Sequence, residues 1–352
     1  MRRSSHKSLY IALGLLAAVT ILFLLRQQGP PEAARLLPES DAIVYVHLKT
    51  VRAATHFDAT PVTRNPDYQR FVDATGIVPE RDLDAAAFSL HRMPDAHGPN
   101  GAVAYSEVFV GRFDGMRLER YLGSIASSTE NYAGHQIFTI PLEGRQFRIA
   151  KVGYDTIVAS NMPTAEQIHS MLDRHRASAL WTPGSSLLAA RYREVPLLSQ
   201  AWAIGHIGLP FAANGRISVL GLELPLGEDT DLVASLRYSG SVHLRVEEIA
   251  PTEDSARHTV ETMSTLLNIV RGIQSAQPAQ TSAAMAMRGL LESVAVEHHK
   301  DRAVLTAAAT TDELKSLASA ANVSQTSAAT GGPADQARVA QKTPLAIRAP
   351  KH

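Results

Sequence analysis

Fourteen histidines and thirty-four carboxylates are the groups of this chain that could hold a metal or move a proton, and spacing decides whether they can act together. His169 and Asp173 stand four apart in a stretch with helical periodicity, which sets both side chains on one helix face and would offer two ligands. His169 and His175, six apart, fall on separate faces. His298 and His299 are adjacent near a strand end and point to opposite sides of it. No H-E-x-x-H occurs, and no histidine cluster includes a carboxylate, so the spacing indicates no dedicated metal site. Gly227, Glu228, Asp229, Thr230 and Asp231 place three carboxylates in one loop. The longer ligand series and distal glutamate of a calcium loop are missing, and a solvated turn is the expectation there. Glu80, Asp82 and Asp84 read the same way.

Nucleophile chemistry has no better support. Ser185, Ser186, Ser239 and Ser241 lack a flanking G-x-S-x-G, and no S-x-x-K precedes an appropriate partner. Neither glycine-rich phosphate loop occurs. The absence of cysteine excludes a disulfide scaffold, a thiolate metal site and a thiol nucleophile. The sequence therefore assigns no catalytic, metal or cofactor-binding residue and implies no cofactor. What remains is apolar. Trp202, Ile204, Ile207, Leu209 and Phe211 open a stretch reaching Leu226, with no charge between Glu194 and Arg216. It either fills a core as a strand pair or forms a surface for a protein partner or lipid. Trp181 and Tyr192 could join Trp202 in lining a groove.

The elements that must position these residues can be read from periodicity and turn chemistry. Strands are expected at 42–48, 102–111, 136–141, 146–152 and 156–160. Asn65 before Pro66 caps a short helix, and Asp114 caps another to about Ala126. Thr164 and Gln167 have capping-box spacing for a helix ending near His175. Residues 231–238 and 242–249 alternate in period two around Ser239-Gly240, giving a hairpin. A helix from Thr252 to Ile273 follows, its stripe formed by Ala256, Val260, Met263, Leu267, Val270 and Ile273. A helix at 282–292, a second hairpin at 294–308 and a last helix capped by Thr310 and Glu313 complete the order. The predicted class is α+β: a largely antiparallel sheet or sheets, helices packed on one face, in hairpin-then-helix units. The domain is expected to span 38–321, with 38–180 and 181–321 as two candidate lobes.

An N-terminal transmembrane helix is expected before it. Leu9 to Leu25 carry no charge over seventeen residues, about 26 Å of helix against a hydrocarbon core of about 30 Å. No small-x-small cleavage site follows, so a retained signal anchor is expected. Arg2, Arg3 and Lys7 precede the span and Arg26 follows it, which keeps residues 1–8 in the cytoplasm and the rest outside. The expected location is thus a single-pass inner (cytoplasmic) membrane protein with a periplasmic or extracellular domain. Residues 26–37, with Gly29, Pro30 and Pro31, are expected to be a stiff linker. Residues 322–352, rich in Ala, Ser, Thr and Gln, are expected to be a disordered basic tail.

Formal charge is zero overall, but the basic residues flanking the anchor and those of the tail leave 27–322 acidic. No basic stripe exists there for nucleic acid, and that partner is excluded. Leu37-Pro38 followed by DAIVYVHLKTVR, the VGRFD at 110–114 and the LVASLRYSGSVHLRVEE before the long helix resemble an uncharacterised bacterial family of membrane-anchored ectodomains, a domain of unknown function. The resemblance covers 37–320 and implies no activity. The function expected is a membrane-tethered extracytoplasmic binding or structural protein without catalysis. An envelope hydrolase whose site assembles only in the fold, or a lipid or small-molecule carrier, is the alternative.

Overall fold

The computed structural model describes residues 13–17, 19–21, 29–59, 65–142, 144–177, 184–206, 218–219, 222–223, 230–276, 281–317 and 319. Among the described residues fourteen strands form, in chain order β1 (Ala42–Val46), β2 (Leu83–Arg92), β3 (Val103–Gly111), β4 (Ser128–Tyr132), β5 (His135–Leu142), β6 (Arg145–Val152), β7 (Thr156–Ser160), β8 (Ala201–His206), β9 (Ser218–Val219), β10 (Leu222–Glu223), β11 (Asp231–Tyr238), β12 (Val242–Ile249), β13 (Ala295–His299) and β14 (Arg302–Ala309). All but β9 and β10 join one antiparallel sheet of twelve strands, in the order β13-β14-β12-β11-β8-β1-β2-β3-β7-β6-β5-β4. The α+β, antiparallel expectation holds. The two candidate lobes share this sheet: β1, from the first, lies between β2 and β8 and pairs with both.

Alternation along the strands divides the sheet into two sides. Tyr45, Ala87, Val108, Val158, Ala150 and Ile137 lie in one cross-strand row, and Tyr45 also pairs with Trp202. This side is covered by α1 (Glu32–Leu36), α6 (Glu166–Arg176) and α7 (Ser186–Arg191), whose Leu36, Ile168, Met171, Leu172 and Leu188 are fully buried against it. The other side has its own cluster. There α5 (Gly115–Ile125) sets Leu118 and Leu122 on Phe138, with Phe71 of α3 (Pro66–Thr75) beside them; α2 (Leu48–Thr55) and α4 (Pro79–Asp82) precede and follow α3 in the chain between β1 and β2. The expectation of helices on one face is therefore corrected. A sheet with buried apolar groups on both sides, Ile137 and Phe138 being consecutive, needs cover on both.

The linker expectation is also corrected. Ala33, Ala34, Leu36 and Leu37 are at most 2% exposed, so the domain begins at Glu32 and not at Pro38. Further upstream, residues 13–17 and 19–21 are helical, with Leu13, Leu15, Leu16, Val19 and Ile21 between 55% and 65% exposed. No helix among the described residues is long and apolar enough to cross a membrane. The remainder of the anchor and the tail at 322–352 lie outside the described residues.

Local sequence accounts for most of the helix starts. Asn65 Oδ1 accepts from the Tyr68 N–H at 2.7 Å, Asp114 Oδ1 from Arg117 at 3.1 Å, and Thr310 and Glu313 close a reciprocal capping box. The Thr164 box does not form: α6 starts after Ala165, and the Thr164 hydroxyl meets Glu166 at 3.4 Å. The long helix, α8 (Glu253–Ala276), and α9 (Ser282–Ser293) pack on β13 and β14. Only part of its expected stripe is buried: Ala256 and Met263 are, Leu267 and Val270 are half-buried, and Ile273 is 56% exposed. Met263→Ala should accordingly cost about 2–4 kcal/mol through the void it leaves. Ile273→Ala should stay within about 0.5 kcal/mol. Denaturant midpoints of the two variants measure the contrast.

Candidate binding face

The clearest chemical contrast lies across the middle of the sheet. Reading the register from strand to strand, one row runs Val296, Leu305, Val246, Ala234, Ala203, Val44, Phe88, Glu107, Ala159, Ile149, Phe138. Every one of these but Glu107 is apolar, and the row ends on β4 at the exposed Thr129. The flanking residues on the same side of β2 and β3 are Ala86, Leu90, Tyr105 and Phe109, with the rings of Phe88 and Phe109 packed edge to face at 5.7 Å.

Helices cover the two ends of this row unequally. Beyond Glu107, α3 and α5 bury Phe138 and pack against Ile149 and Ile157. At the opposite end, α8 and α9 sit on β13 and β14, and Ala303, Ala307 and Ala309, which share a side with Leu305, are buried. Between them Val44, Phe88, Leu90, Tyr105, Ala203 and Ala234 are half-buried. In β3 the contrast is direct, since Ala104, Ser106 and Val108 on the reverse side are fully buried while Tyr105, Glu107 and Phe109 are not. Between the two helix layers lies a half-buried apolar strip of sheet, the trough, to which β8 and β11 contribute the small residues Ala203 and Ala234.

The Glu107 carboxyl accepts no hydrogen bond and makes no ion pair among the described residues. Burial alone pushes its carboxyl up to about 7. Because an unfolded glutamate titrates lower, Glu107 contributes stability that is complete in acid and is lost as pH rises through about 7. Glu107→Gln should therefore stabilise the domain at pH 8 by about 1–2 kcal/mol, since a partly exposed carboxyl keeps some hydration. At pH 4 the two proteins should match. Thermal melts at both pH values test this, and an equal difference at both would exclude ionisation as its origin.

The reverse side carries two polar groupings. Ser89, His91, Ser106 and Ser160 are buried and linked: His91 Nε2 is 3.0 Å from Ser106 Oγ, which is 3.1 Å from Ser160 Oγ. Burial lowers the His91 pKa. These hydroxyls satisfy one another inside the core, where no substrate reaches them. Further along, Arg191 and His206 both hold Asp231, the imidazole Nδ1 at 2.8 Å. Arg302 joins Glu194 at 2.7 Å and Glu247 at 2.5 Å, and Arg245 joins Glu247 at 2.8 Å. The two least exposed carboxylates of this network, Asp231 and Glu247, are each held by two basic groups, as their burial requires.

The residues singled out in the sequence are dispersed. Trp202 and Ile204 are 3% and 0% exposed. They face the reverse side, where Trp202 stacks on Tyr45 at 5.5 Å and meets Tyr192 at 5.4 Å. They are core, and their expected role in a partner or lipid surface is corrected. Ile207, Leu209 and Phe211, like Trp181, lie outside the described residues. His169 and Asp173 do not converge on one point: His169 stacks on Tyr132 at 3.8 Å and bonds Glu130 at 2.9 Å, while the Tyr132 hydroxyl donates to Asp173 at 2.9 Å. Asp82 pairs with Arg81, Asp84 with Arg52, and Glu80 accepts from Tyr68. Among the described residues no three histidines or carboxylates form a metal-holding group. Glu107 was the residue missed. Its signal was present, as it is the only charge in the alternating strand 102–111 and shares the parity of Tyr105 and Phe109.

No protein-family model and no curated protein matches the chain. Among solved structures, three crystal forms of TP0453 align. Form IV does so at TM-score 0.43 and 11% identity over 82% of this chain and 96% of that one. Form III gives 0.44 and 9% over 83% and 99%, and form I gives 0.41 and 11% over 83% and 98%. Likeness at this level carries no argument about function.

Proposed function

We propose that the chain is a membrane-tethered extracytoplasmic protein that works by binding, with the trough across β8, β1, β2 and β3 as its receiving surface. The apolar run at Leu9 to Leu25 and the basic residues before it support the tether and its direction. The observation that carries the binding role is the half-buried apolar row around Phe88, on strands whose reverse side is buried. A hydrolase is the second reading, favoured by the His206–Asp231 pair at 2.8 Å. Arg191 also neutralises that carboxylate, and no serine or threonine hydroxyl bonds the His206 ring among the described residues, which leaves the pair without a nucleophile there.

Photolabelling tests the binding role. The full-length chain in its membrane is irradiated with a photoreactive octanol carrying a diazirine, and the modified residues are mapped. Label concentrated at Val44, Phe88, Leu90 and Tyr105, and reduced in Phe88→Asp, is the expected result. Label spread equally over exposed side chains such as Met116 and Tyr154 would overturn it.

A further inference from the structure

We infer that the ligand of this trough is a cationic amphiphile, an apolar body bearing one ammonium group, and that Glu107 pairs with that group. The inference deepens the binding role proposed above and rests on it. Its ground is charge complementarity. Glu107 is the single charge in a row that crosses eleven strands. Lys151, on the same side two strands away, is already engaged by Glu119 at 3.3 Å. A carboxylate held among Phe88, Tyr105 and Phe109 without donors has lost much of its hydration and gained nothing in return. A ligand ammonium would supply both the charge and the hydrogen bonds, and its alkyl chain would cover Val44, Ala203 and Ala234. A fatty acid or a phosphate monoester would add a second negative charge beside the first, which the low local dielectric penalises.

The test uses the same photolabelling of the full-length chain at pH 8, now with competitors. Octylammonium, octanol and octanoate are titrated against the photoreactive octanol, on the native chain and on Glu107→Gln. The expected result is that octylammonium displaces the label at a concentration at least tenfold lower than octanol does, with octanoate weakest. In Glu107→Gln that advantage should shrink to within about twofold, while octanol competes as before. Equal competition by octylammonium and octanol on the native chain would overturn the inference and leave the apolar binding face standing. So would a preference for octylammonium that persists in Glu107→Gln, since it would come from the membrane surface. Failure of all three to compete would overturn the binding role and the charge pairing together.

Discussion

Trp202→Ala is expected to destabilise the domain by about 3–5 kcal/mol, a large part of the margin on which a domain of this kind stands. The indole sits in the middle of β8, 3% exposed, between the stacked Tyr45 ring and the edge of Tyr192. Its removal takes away buried area and two aromatic contacts and leaves a void that a strand flanked by β1 and β11 cannot collapse to fill. Trp202→Phe keeps most of the ring stack and should lose less than half as much. Urea denaturation of both variants checks the order. If Trp202→Ala retained native stability, the indole would not be the packing element described.

A comparable loss is expected from Arg302→Ala, about 2–4 kcal/mol at pH 7. The guanidinium bridges Glu194 and Glu247, and the latter has a side chain only 5% exposed. Taking the cation away leaves two carboxylates close together, with Arg245 on Glu247 and the more distant charge of Arg191 near Glu194 to compensate. The bond from Arg302 holds the Glu194 pKa below its ordinary value. A group depressed in this way contributes stability above its unfolded pKa, and that contribution fades as pH falls through the folded one. The penalty of Arg302→Ala should therefore shrink between pH 7 and pH 3. A penalty independent of pH would assign the role of Arg302 to the packing of its alkyl stem instead.

Much of the fold was legible because its determinants are local. The turn at Ser239-Gly240 and the strict alternation on either side fix the β11–β12 hairpin, and Asn65, Asp114 and Thr310 announce their helices by type and position. β2 was not legible as a central strand. Ala85, Ala86 and Ala87 are all buried, so small residues on both sides erase the period-two contrast that marks a strand with one wet face. The fate of Trp202 could not be read locally either, since its burial is decided by Tyr45 on a strand much earlier in the chain. The trough is a property of register. Phe88, Glu107 and Val44 become neighbours only once three separate segments align, and no spacing along the chain encodes that.

The central position of β1 has a consequence for how the protein comes into being. As the chain emerges, Ala42–Val46 can find β2 early, but its other edge must wait for Ala201–His206, and the sheet cannot be continuous before that segment arrives. Until then β1 offers an unpaired edge, and the apolar surface that Trp202 will share with Tyr45 stays wet. Non-local closure of this kind slows folding and leaves a long-lived species prone to pairing with other chains. A chaperone that shields an exposed strand edge would act on this protein during that interval, before residue 206 has docked.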